Sequence, residues 1–123
     1  MREIKFRAKI SPTNGWVYGH YAFVDGYHVI YENGRPLIIR LNTLGQYTGL
    51  KDKNGKEIYE GDIVHMYSVM PGCDIDEIGI VKFIECAFLF EKTDGSNGWS
   101  IFNEATEIEV IGNTYENPEL VKN

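Results

Sequence analysis

From Glu3 to Ile10 polar and apolar residues alternate without a break, Ile4, Phe6, Ala8 and Ile10 falling on one side and Glu3, Lys5, Arg7 and Lys9 on the other. A period of two is that of a β-strand with one face on a core and one in water. The turn cluster Ser11-Pro12-Thr13-Asn14-Gly15 ends it, and WVYGHYAFV at 16–24, rich in aromatic and β-branched residues, predicts a second strand. Asp25-Gly26 supplies the positive-φ positions of a tight hairpin. YHVIY at 27–31, the turn Glu32-Asn33-Gly34-Arg35-Pro36 and LIIRL at 37–41 complete an antiparallel meander of about four strands.

Turn chemistry is densest in the next stretch, QYTGLKDKNGKEIYEGDIV at 46–64. Asn54-Gly55 suits a type I′ turn, Gly61 permits a sharp corner, and the Asp62 carboxylate can accept backbone N–H groups around that corner. Apolar runs then recur at even spacing: DIVHMYSVM, EIGIVKFI, ECAFLFEK, WSIF and TEIEVIG. Five short strands of this kind predict an SH3-like small β-barrel. Asn117 followed by Pro118 predicts a single helical turn near the end. The expected fold is therefore mainly β with little helix: an N-terminal antiparallel β unit with connector over 1–57, packed on an SH3-like barrel unit with a short tail over 58–123.

The 123 residues suffice for one real core or two small units. Apolar residues at 43% and charged residues at 24% are ordinary globular usage, and the 13% aromatic content favours sheets. A net charge of −6 opposes sequence-independent attraction to phosphates. No apolar run approaches the roughly 20 residues that span a bilayer, no signal-peptide core follows Met1, and Cys73 and Cys86 are the only cysteines, so a reducing cytoplasm and no membrane are expected.

Catalytic signatures are sparse. His20, His28 and His65 lie in predicted strands without a second metal ligand nearby, and Cys73 and Cys86 read as reduced thiols. Asp74, Asp76 and Glu77 on one loop, and Glu57, Glu60 and Asp62 at the corner, resemble hydrated turn residues with no apolar pocket to split their pKa values. Expected are no catalytic residue, no metal and no cofactor. Lys5, Arg7 and Lys9 on the wet side of the first strand, with Lys51, Lys53 and Lys56 at the hairpin tip, form a basic row that could track a nucleic-acid backbone beside tyrosines; a solvated edge strand that discourages pairing is the plainer reading. Trp16 and Trp99, each after an Asn-Gly turn, read as packing residues or as part of a partner surface.

Four blocks in order, IKFRA, W-x-Y-G at Trp16–Gly19, QYTGLKDKNGKEIYEGDIV and EVIGNTYENPEL, closely resemble the YopX-like family of bacteriophage and prophage proteins. The resemblance implies a phage or prophage origin in a bacterial cytoplasm and an SH3-like C-terminal part, and it carries over no catalytic or binding residue. In the central block, Gly49, Gly55 and Gly61 are expected at backbone positions other residues would strain, with Tyr47, Leu50, Ile58 and Tyr59 clamping the units beside Asp62.

The functional expectation is a non-enzymatic module that binds a protein partner or itself as a homo-oligomer. A nucleic-acid-binding accessory protein using the basic first-strand face is the alternative.

Overall fold

The computed structural model describes residues 4–10, 13, 15–68, 76–84, 87–92, 97–100 and 106–121. β1 (Phe6–Lys9), β2 (Trp16–Val24), β3 (Tyr27–Glu32) and β4 (Arg35–Ile38) follow one another as antiparallel neighbours, and β5 (Gly45–Lys51) pairs with the free side of β1, giving the order β4-β3-β2-β1-β5. The first strand is thus central rather than an edge. Both two-residue turns are built as their sequences dictate: Asp25 and Gly26 take φ of 51° and 84°, Asn33 and Gly34 take 53° and 79°.

β4 begins at Arg35, inside the segment expected to be turn, and stops at Ile38, short of the strand expected over 37–41. Pro36 is tolerated because of where its nitrogen points. The Ile39 N–H donates to the His28 carbonyl at 3.1 Å, so the groups of Leu37 and Ile39 face β3 while those of Pro36 and Ile38 face away from it. The missing donor therefore lies on the outer side, where an edge strand tolerates proline.

Past β4 the chain turns back to the first strand. Ile39 bridges Ile10, the Arg40 N–H donates to the Lys9 carbonyl at 2.8 Å, and a single 3-10 turn, Leu41–Thr43, follows. One isolated bridge curls the sheet without closing it. Ala8, Val17, Ile30 and Ile39 are buried on the inner side, with Phe6, Ile10, Tyr21, Leu37 and Leu44 packed on them.

The chain divides into two compact units, Met1–Gly49 and Leu50–Asn123. The division falls inside β5, earlier than the 57/58 boundary expected, because the hairpin beyond Leu50 is fastened within the later unit. There β6 (Glu57–Tyr59) returns from the hairpin tip, and β7 (Asp62–Ser68), β8 (Asp76–Ile84), β9 (Ala87–Lys92), β10 (Asn97–Ser100) and β11 (Thr106–Asn113) form a sheet of order β10-β9-β8-β7-β11. Every pairing in it is antiparallel. Among the described residues no ladder joins β10 to β11, so the sheet is not closed. Ile58, Val64, Met66 and Val81 form the core, with Leu50, Ile108 and Val110 against it. The helical turn expected after Asn117 is a short 3-10 turn, Pro118–Val121.

Candidate functional site

The basic row of the first strand is not at the surface. Arg7 and Lys9 are only 5% and 6% exposed, nearly as buried as the alanine between them. Their register partners are Tyr18 and Trp16, and the Trp16 ring lies 4.6 Å from the Arg7 guanidinium carbon and 5.4 Å from Lys9 Nζ. Lys5 Nζ lies 5.2 Å from the centroid of the Tyr47 ring. The expectation of a wet face fails because β1 has a strand on each side and an indole over its cations: long stems pack on apolar surface while the charged heads meet aromatic faces. Lys51, Lys53 and Lys56 are exposed as expected, in the other unit.

At the hairpin tip, Asp52 is the organising residue. One carboxylate oxygen accepts the N–H groups of Asn54 and Lys56 at 2.9 Å each, and the other accepts the Val110 N–H at 2.9 Å, tying the tip to β11. Burial pushes its pKa up, but the three backbone donors and the Lys56 charge outweigh it and hold the carboxyl below its ordinary 3.8. The Lys53 N–H donates to the Ile108 carbonyl, and Lys53 Nζ donates to the Tyr67 hydroxyl, which in turn donates to Glu107 at 3.0 Å. That hydroxyl, accepting from the ammonium, raises the lysine pKa.

The glycines of the central block take φ of 89° at Gly49, 83° at Gly55 and 92° at Gly61. At the corner Gly61 donates to the Val81 carbonyl and accepts from Thr114, while buried Asp62 takes the Tyr59 N–H at 2.8 Å. Tyr47, Ile58 and Tyr59 are buried; Leu50 packs on the later core, and the Tyr59 hydroxyl donates to Glu57 at 3.0 Å. No sequence signal marks Asp52 among these residues, because its third donor lies on a strand far along the chain.

The histidines do not converge. His20 is exposed on β2. His28 Nδ1 is 2.5 Å from the Tyr21 hydroxyl, its ring stacked on Tyr21 and tilted against Phe23. His65 Nε2 lies 2.6 Å from Asp76 Oδ1 on the surface, the carboxylate side chain 82% exposed, so the pair has no enclosed substrate space. Among the described residues no three His, Cys, Asp or Glu side chains could share a metal ion. Cys73, Cys86 and Asp74 lie outside the described residues, as does the Trp99 side chain. Among the described residues no helix is long and apolar enough to cross a membrane.

Two surfaces escape sequence reading. Register places Tyr27, Val29 and Tyr31 of β3 on one face with Pro36 and Ile38 of β4 and His20 of β2, opposite the core side; Tyr27 is 56% and Ile38 50% exposed. In the later unit, Glu107–Tyr67–Asp76 and Glu109–His65–Ile78 form two rows across β11, β7 and β8. Charge divides equally sharply. Residues 1–49 hold six Lys and Arg against three Asp and Glu, a net +3, whereas residues 50–123 hold six against fifteen, a net −9.

A family model described as YopX protein matches residues 5–122. The chain belongs to the YopX family. Two solved structures share this YopX architecture: protein EF1440 from Enterococcus faecalis, 23% identical with a TM-score of 0.55, and protein yopX from Bacillus subtilis, 22% identical with a TM-score of 0.53. Each alignment covers 99% of this chain and 100% of the other. At such identity the likeness concerns the fold alone. A search of curated proteins returned no match.

Proposed function

We propose that this YopX protein is a non-enzymatic interaction module that binds a protein, either a second copy or a partner of the bacterial host or phage, in the cytoplasm of a bacterium carrying the phage or prophage. The outer face of β3 and β4 carries the reading: Tyr27 and Ile38, about half exposed, stand on either side of the buried Val29. Aromatic side chains on a rigid face are usual anchors of a protein interface. An SH3-like identity for the later unit belongs with this proposal, and it is supported by a last strand, β11, that returns to pair with the first, β7.

Light scattering over a range of concentrations, followed by retention of proteins from host lysate with and without nuclease, tests the reading. The expected result is self-association or a retained protein, lost in the Tyr27→Ser, Ile38→Ser double variant. A chain that stays monomeric and retains no protein overturns it. Retention that disappears with nuclease and salt would turn the reading to nucleic acid. The tip lysines Lys51, Lys53 and Lys56 would then be the contacts to change, since reversing charge at buried Arg7 and Lys9 would disrupt the fold instead.

A further inference from the structure

We propose that Asn33 is a self-modification site: the Gly34 backbone nitrogen displaces its side-chain amide, and water opens the resulting succinimide to aspartate or isoaspartate. The inference goes beyond the interaction-module reading and does not depend on it. It comes from a contrast. Asn33-Gly34 and Asn54-Gly55 are the Asn-Gly pairs whose backbone and side chains are both described, and the fold holds them in opposite ways.

The reaction needs a backbone nitrogen free to give up its proton and a main chain able to bring that nitrogen onto the side-chain carbonyl carbon. Hydroxide takes the Gly N–H proton, the N–Cγ bond forms, and the amide group leaves as ammonia after taking a proton back from water. Water then breaks one of the two ring C–N bonds: the Cγ side gives aspartate, the main-chain side isoaspartate. Glycine hinders the approach least, having no Cβ beside the attacking atom. Both asparagines are exposed, and a Cβ on either following glycine would meet nothing within 4 Å, so access does not separate the two pairs.

Hydrogen bonding does. Asn33 and Gly34 form a two-residue turn with φ of 53° and 79°, a geometry whose own bond does not use the second N–H. No described residue accepts the Gly34 N–H or bonds the Asn33 side chain. The turn leads into β4, a four-residue edge strand, so the rotation that brings nitrogen onto carbon needs only local opening. The tip at Asn54 is not the I′ turn its sequence suits. Of Asn54 and Gly55 only the glycine is left-handed, and its N–H donates to the Asp52 carbonyl at 3.0 Å. Asp52 Oδ1 holds the Asn54 and Lys56 N–H groups at 2.9 Å, and Asn54 Nδ2 donates to Glu109 at 3.4 Å. Nucleophile and electrophile are restrained at Asn54 and available at Asn33.

Isoaspartate routes the main chain through Cβ and so lengthens a turn whose two residues set the register of β3 on β4, from Glu32↔Arg35 to Val29↔Ile38. The lengthened turn no longer fits that pairing. β4 then comes away from β3, and Pro36 and Ile38 leave the outer face with it. Aspartate keeps the length of the main chain and only adds a charge next to Glu32.

The test is prolonged incubation of the full chain in mildly alkaline buffer, with and without denaturing urea, followed by peptide mapping with mass spectrometry. Expected in buffer is conversion at position 33 about tenfold or more faster than at position 54, because more hydrogen bonds must break at the second. In urea the two rates should come together. Native rates that are equal or reversed, or a gap that persists in urea, would overturn the assignment of reactivity to turn structure. Amide exchange then separates isomer from charge. Protection of the Leu37 and Ile39 N–H groups, which face β3, should be lost in the isoaspartate fraction of the aged chain and kept in the Asn33→Asp variant. An isoaspartate fraction that keeps this protection would overturn the unzipping of β4.

Discussion

The two units are fastened by different chemistry. In the first, the curl back to β1 is held by neutral groups: the Thr43 hydroxyl accepts the Lys9 N–H at 2.8 Å and donates to the Arg40 carbonyl at 2.6 Å, beside the Ile10–Ile39 bridge. In the second, carboxylates do the fastening: Asp52 gathers three backbone N–H groups and Asp62 takes a fourth at the corner. A hydroxyl keeps its bonds at any moderate pH, whereas a carboxylate accepts them best while ionised. Acid should therefore act on the two units unevenly.

The harshest way to break the first unit alone is Gly19→Ala. A Cβ there would stand 2.0 Å from the Tyr31 carbonyl oxygen, which is backbone and cannot yield, so a loss of about 4 kcal/mol is expected, read as collapse of amide exchange protection in β2 and β3. Gly61→Val is the matching strike on the second unit. Its φ of 92° is forbidding for a branched residue, yet the nearest obstruction, Tyr115 Cε2 at 3.1 Å, belongs to a side chain that can swing aside; about 3 kcal/mol is expected from urea melts. Equal costs at the two glycines would show that backbone and side-chain obstruction count alike.

Asp52→Asn sharpens the contrast directly. At neutral pH it should cost about 2 kcal/mol, because charge-assisted bonds to Asn54, Lys56 and Val110 weaken. The carboxyl titrates below 3.8, so its contribution is present above the unfolded-state pKa and is lost as pH falls through the folded one; variant and wild type should converge in acid. Exchange protection in β7 and β11 should weaken there before that in β2 and β3. A constant gap between variant and wild type from pH 7 down to about 2.5 would remove the assigned cause. The mildest change is Thr43→Val, which leaves the buried Lys9 N–H without its acceptor; about 1.5 kcal/mol is expected, independent of pH over the same range.

Strand after strand was legible from local pattern. WVYGHYAFV is β2 residue for residue, and Asn33-Gly34 and Asp25-Gly26 turn as their chemistry requires. Gly19, quoted in the W-x-Y-G block without a reason, owes its place to the close approach of β3. What failed was inference about faces. Alternation in β1 located Ala8 and Phe6 correctly but could not tell that Arg7 and Lys9 would be covered too, since period two gives sidedness and says nothing of what lies above the polar side. Asp52 was invisible for a related reason: two of its donors are local and ordinary for a turn, while the third, Val110, is brought to it by tertiary structure. The curl at Ile39 was missed because it consists of one bridge, too little to leave a pattern.

The order in which β7 gains its neighbours has a consequence for biogenesis. β8 follows it directly and can zip onto it early, but β11 is made much later, so during translation Ile63, Val64 and Met66 sit on a strand with one bare flank. Until Thr106–Asn113 emerge, any chain offering a TEIEVIGN-like segment can occupy that flank, including the same segment of a neighbouring nascent chain on one polysome. Strand exchange between sister chains is thus the misassembly this topology invites.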